Sequence, residues 1–197
     1  MHPPATGDAA AAPAVADDPE NAARLIALRL LDTQPRTRAE LERALARRGV
    51  PGDAATAVLD RFAEVGLIDD EAFAQAWVTS RHAGRGLGRR VLASELTRRG
   101  VSAETVAIAV ASVSAGDEET AARALVARRL RTMSGVPADT QIRRLVGMLA
   151  RKGFSQGLAF AVARDAVAGA RDAVAGARDS GSEVYDAVAG VAGAGPG

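Results

Sequence analysis

The sequence predicts an all-α protein built from three tandem three-helix repeats. Three observations carry this reading. Apolar residues recur at helical spacing along the chain, as in Leu25, Leu28 and Leu31 or Leu41 and Leu45, and strand-like alternation never persists beyond a few residues. A ten-residue pattern occurs three times: Leu41 to Val50, Leu92 to Val101 and Leu145 to Phe154, separated by 51 and then 53 residues. Each copy places two leucines one turn apart, two bases in the last turn where they favour the helix dipole, and a glycine suited to a left-handed helix end.

Residues 1–18 form a leader of Ala, Pro, Gly and Asp that cannot bury enough apolar surface to offset chain entropy, and disorder is expected there. Asp18-Pro19 is an N-cap followed by a proline suited to the first helical position. Helices are expected near 19–33, 38–48, 52–65, 70–82, 88–99, 103–114, 118–134, 139–152 and 156–168. Thr37 to Glu40 reads as a capping box, and Gly49, Gly66, Gly100 and Gly153 stand where helices should end. Pro51, Ser102 and Ser155 open the helix after each copy. The repeats are bounded at 19–69, 70–116 and 117–168. Each alone has little apolar surface, so neighbours should share interfaces in an elongated, curved array. Residues 169–197 continue a duplicated Arg-Asp-Ala-Val-Ala-Gly-Ala motif as a low-complexity, acidic and partly helical tail, since each glycine costs a helix about 1 kcal/mol against alanine.

Composition narrows the chemistry. The 197 residues include no cysteine and two histidines, which removes disulfides, thiolate metal sites and Cys-His or Ser-His-Asp catalysis; no cofactor is expected. No stretch has the ~20 uninterrupted apolar residues of a membrane span, and the N-terminus lacks a secretory pattern, so a cytoplasmic protein is expected. The net charge of +1 conceals a gradient. Bases and acids balance at eight each over residues 22–70, stand at six against three over 71–116, and at nine against four over 117–164. Positive charge rising toward the third repeat suits an anionic partner.

Three adjacent acids, Asp69, Asp70 and Glu71, invite a metal or acid-base reading. They also fit a helix start, with Asp69 as N-cap, Asp70 and Glu71 in the first turn, and Ile68 and Phe73 as the two partners of a hydrophobic staple. The stretch Gly84 to Arg90 resembles a phosphate cradle but lacks a preceding strand and the Lys-Ser/Thr of a nucleotide loop. It reads as a connection between helices whose Arg85, Arg89 and Arg90 face phosphate or an acidic surface. Trp77, one turn from Phe73, reads as a core residue, and His82 as a charge closing the same helix.

The run Gly66-Leu67-Ile68-Asp69-Asp70, with Phe73, Trp77 and Arg81 at their spacing, followed by Gly88 and Leu92 to Val101, resembles the RecX family of bacterial modulators of the recombinase RecA. The similarity extends over about residues 22–165, and its specific part is the second repeat. It implies a monomeric, non-enzymatic regulator that binds the RecA filament on single-stranded DNA and represses recombinase, ATPase and coprotease activities, with direct contact to single-stranded DNA and, as a further expectation, to double-stranded DNA. The alternative is a helical DNA-binding module acting without RecA. A metal-dependent enzyme at the acid cluster is a third, remote reading. The resemblance supplies no catalytic residues. Candidate partner and DNA contacts are Arg81, Arg85, Arg89, Arg90, Arg98, Arg99, Arg128, Arg129, Arg131, Arg143, Arg144, Arg151 and Lys152; Gly66, Ile68, Asp69, Asp70, Phe73 and Trp77 form the structural signature.

Overall fold

The computed structural model of the chain describes residues 17–173, and in them every regular element is a helix. The expected disorder of the leader up to residue 16, and the tail reading from residue 174 onward, lie outside the described residues. Among the described residues nine helices follow in order: α1 (Pro19–Thr33), α2 (Arg38–Ala46), α3 (Gly52–Glu64), α4 (Asp70–Arg85), α5 (Arg89–Arg99), α6 (Ala103–Ala111), α7 (Ala115–Leu130), α8 (Ala138–Arg151), and α9 from 156 to 173. Each repeat contributes three.

Local chemistry sets most of the boundaries. The Asp18 carboxylate accepts from the Asn21 N–H at 2.9 Å, and Thr37 with Glu40 forms the complete capping box of α2. Gly49, Gly66, Gly100 and Gly153 adopt φ of 77°, 73°, 89° and 90°, the left-handed backbone that ends a helix at little cost only for glycine.

Several boundaries differ from the sequence reading: α7 ends at Leu130 rather than near 134, α9 runs on to 173 rather than 168, and the ends of α4 and α6 and the start of α7 shift by three residues. Helix α6 ends at Ala111 and α7 starts at Ala115, because Ser114 and Asp117 form a capping box that sequence reading overlooked. The Ser114 hydroxyl and N–H both donate to Asp117, at 2.7 and 2.9 Å, and hold its carboxyl below the usual value; the nearby His82 adds a smaller lowering. Because the folded pKa is depressed, this contribution is fully present above the unfolded value near 3.8 and is lost as pH falls through the folded pKa. Ser114→Ala is therefore expected to raise the Asp117 pKa and weaken the pH dependence of stability in that acid window. NMR titration of the carboxyl carbon, with melting curves across the same range, checks both. Helix α4 runs on to Arg85, so His82 does not end it. Its Nδ1 lies 2.9 Å from the Leu87 carbonyl, and Gly86, at φ 58°, makes the turn.

Packing divides the chain into two compact units that do not coincide with the three repeats: residues up to Ser80 with Ala93–Ser112, and Arg81–Leu92 with residues from Val113 onward. The first holds the core of repeat one, where Leu41, Leu45, Leu59, Phe62 and Ile68 pack with the alanines of α1. The second holds the core of repeat three, where Leu145, Leu149, Phe154 and Val162 pack against Ala122 and Val126. The buried residues of repeat two are shared: Ala74, Val78 and Leu96 belong to the first unit, Leu92 and Val113 to the second.

The acid cluster starts helices. Asp69 caps α4, accepting from the Ala72 N–H at 2.8 Å, while Asp70 reaches back to the Arg38 N–H at 2.9 Å and so serves the first turn of α2. Glu71 is exposed in the first turn of α4, where the helix dipole favours a carboxylate. Among the described residues no group of three or more His, Cys, Asp or Glu side chains is placed to hold a metal ion. Replacing Asp69 with Ala is expected to cost about 1 kcal/mol, and an unchanged melting temperature would remove the cap from the account.

Candidate functional site

Ionic side chains in this chain serve two different ends, and their partners separate them. In the first unit, Arg99 at the end of α5 lies over the Trp77 ring, 3.8 Å from its centroid, and 5.7 Å from that of Phe73. It also pairs with Glu40, and only 30% of its side chain is exposed. Phe73 and Trp77 stack with centroids 5.8 Å apart, and the Trp77 indole N–H donates to Glu95 at 2.9 Å. Both rings are half-buried, so Trp77 is not the core residue expected from its spacing; it is a platform for an arginine. Two of the signature residues, Phe73 and Trp77, thus meet Arg99, which is structural. Arg99→Ala is expected to cost about 2 kcal/mol through the lost ion pair and cation–π contact, and to shift Trp77 emission. Since the chain holds one tryptophan, fluorescence reads this site alone.

Two more candidate bases are engaged in the second unit. Arg89 places both its backbone N–H and its guanidinium on the nearly buried Glu118, each at 2.9 Å, so one carboxylate caps α5 and neutralises its first base. The Lys152 ammonium donates to the Arg85 carbonyl at 2.6 Å, closing the C-terminal end of α4. Gly88 is no flexible link: its N–H donates to the Lys152 carbonyl at 2.8 Å, and a Cβ there would stand 2.7 Å from the Gly153 backbone. Arg98 is exposed but turns back on its own helix, its Nε 3.2 Å from the Ser94 carbonyl. Arg81 is half-buried near the end of α4.

The remaining bases face solvent. Arg85, Arg90, Arg128, Arg131, Arg143, Arg144 and Arg151 are exposed, and among the described residues none of their side chains pairs with an acid; Arg129 is exposed and lies 3.4 Å from the Thr132 hydroxyl. On α8, with 3.6 residues per turn, Arg143, Arg144 and Arg151 fall on the side opposite the fully buried Leu145 and Leu149. Arg128 and Arg131 likewise project away from the buried Ala122 and Val126 of α7. Such a face has the charge and the hydrogen-bond donors that an extended anion such as a phosphate backbone requires. Among the described residues the one acid with a resolved pKa shift, Asp117, is accounted for by its cap.

Models of the three RecX helical domains match this chain: the first three-helix domain at residues 23–62, the second at 69–110 and the third at 117–162. The regulatory protein RecX of Thermobifida fusca is 57% identical over 143 residues, covering 73% of this chain and 77% of its own. That of Streptomyces coelicolor is 55% identical over 150 residues, covering 76% and 80%. The crystal structure of RecX from Lactobacillus salivarius superposes with a TM-score of 0.70 at 20% identity, over 75% of this chain and 96% of that one. This last likeness is one of fold, and among the described residues of this chain that fold is helical with no strand.

Proposed function

This chain belongs to the RecX family, and on that premise we propose that it regulates RecA by binding the RecA filament on single-stranded DNA and repressing its recombinase, ATPase and coprotease activities. Its relatives are named regulatory proteins, which supports a role exerted by binding rather than by turnover. The observation that most supports a nucleoprotein target is the solvent-facing arginine side of α8 in the third repeat, where Arg143, Arg144 and Arg151 carry charge that no acid of the described chain offsets. A nucleoprotein filament presents DNA phosphates to such a face. A cytoplasmic setting follows from that partner, and no described helix is long and apolar enough to cross a membrane. The protein acts as a monomer without a cofactor.

The same arginines favour a second reading, a DNA-binding module that acts without RecA. The two are separated by measuring RecA-driven ATP hydrolysis on single-stranded DNA with sub-stoichiometric protein, beside binding to bare DNA. Inhibition together with protein on the filament is the expected result. Tight binding to bare DNA with no effect on RecA transfers the function to the second reading.

A further inference from the structure

Gly147 sits at the centre of the solvent-facing side of α8. With 3.6 residues per turn it stands diametrically opposite the midpoint of the buried Leu145 and Leu149, and Arg143 and Arg151 lie one turn before and one turn after it. Both arginines are exposed and pair with no acid among the described residues. The three residues form one line along the helix, about 12 Å from first to last at a rise of about 1.5 Å per residue.

Nothing in the folded chain asks for glycine at this point. A helix interior disfavours glycine more than any residue but proline, and among α1 to α8 this is the one glycine outside a first or last turn. Apart from the helix's own backbone, the one atom within 4 Å of where its Cβ would stand is Nη1 of Arg151, at 3.5 Å, an ordinary contact that leaves room for a side chain. Gly88 and Gly153 differ: a Cβ there would meet backbone at 2.7 and 2.5 Å, so the joint they close explains them.

The same line recurs in the second repeat. Aligned on the leucines, α5 places Arg90, Ser94 and Arg98 where α8 has Arg143, Gly147 and Arg151, again two exposed arginines around a small residue. In α2 the equivalents are Ala39, Arg43 and Arg47, and the first two are engaged within the chain. Ala39 packs beside Gly100, and Arg43 donates to the Arg99 carbonyl at 2.7 Å. A small residue between two exposed arginines thus occurs in the two repeats with a charge excess and is missing from the neutral one.

We infer that Gly147 is the seat of a single nucleic-acid strand on α8. The inference rests on the function proposed above and names where its single-stranded DNA meets the third repeat. Glycine leaves the main chain of the helix uncovered, so the sugar–phosphate backbone lies directly against it while Arg143 and Arg151 hold phosphates on either side. A side chain at 147 holds the strand off. The helix gives up stability at this position for that close approach.

Gly147→Ala and Gly147→Leu test this in the full-length chain, with binding to a single-stranded oligonucleotide measured across a salt series beside melting curves. Leucine is a good helix former with no polar group to take over a phosphate contact. Both variants are expected to melt higher than the parent, by about 3 °C, because a glycine has left a helix interior. Affinity is nevertheless expected to fall, roughly threefold for alanine and roughly tenfold for leucine, with the salt slope unchanged because both arginines remain. Unchanged affinity in the leucine variant overturns the seat and leaves the proposed function standing. A slope lower by about 0.7, the loss of one phosphate contact, overturns it by showing that the new side chain merely displaces Arg151. A lower melting temperature overturns it by giving Gly147 a packing role within the chain. A parent that binds no bare strand overturns it as well; RecA-driven ATP hydrolysis measured with the same parent then decides the proposed function separately.

Discussion

Gly100→Ala is expected to destabilise the protein by about 3 kcal/mol, combining the cost of a left-handed non-glycine residue with that of overpacking a close helix joint. The backbone at residue 100 sits at φ 89°, and the new methyl would meet the Ala39 Cβ at 2.3 Å. Ala39 has no flexible end that can swing aside, and the Arg43 guanidinium, 3.1 Å from the same position, is held on the Arg99 carbonyl. Separating α2 from α5 would lengthen the bonds from Thr37 and Arg43 to the Arg99 carbonyl, and Thr37 is fully buried. Gly49→Ala is the matched control: the same helix end and a similar φ, but open space, for an expected cost of about 1 kcal/mol. Urea unfolding followed by Trp77 fluorescence measures both variants. Equal costs at the two glycines would mean that the joint at Gly100 yields to an added methyl.

The second large effect concerns binding. Replacing Arg143, Arg144 and Arg151 together with alanine is expected to lower the salt dependence of single-stranded DNA binding by about 2 in the log–log slope, at roughly 0.7 per lost phosphate contact. Stability should move by less than about 1 kcal/mol, because the three side chains are exposed and unpaired with any described acid. The contrasting set is Arg89, Arg99 and Lys152. Their replacement should lower stability through Glu118, Trp77 and the end of α4, with a smaller change in slope. A salt titration of each triple variant, read beside its melting curve, checks the division. If both sets lower the slope equally, exposure does not sort these bases.

Much of this molecule is legible residue by residue. The capping box at Thr37, the cap at Asp69 and the glycine terminations at 49, 66, 100 and 153 all stand in the structure as expected, because each is settled within one turn of chain. The missed boundary at Ser114 is local as well; its Ser-x-x-Asp signal was present in the chain and was overlooked. Trp77 illustrates the opposite case. Its spacing from Phe73 marks a helix face truthfully, yet whether that face meets core, solvent or an arginine depends on α5, more than a dozen residues away.

By itself the sequence determined the helical class, the threefold repetition, the helix ends and the family, since periodicity and capping are properties of neighbours along the chain. Tertiary structure alone decided which bases are available to a partner. Arg89, Arg99 and Lys152 read no differently from Arg143, Arg144 and Arg151 in sequence, but meet Glu118, Glu40 and the Arg85 carbonyl across separations of 29, 59 and 67 residues. A charge is engaged or free according to what the fold brings within about 3 Å of it, and that distance is not written in its neighbours.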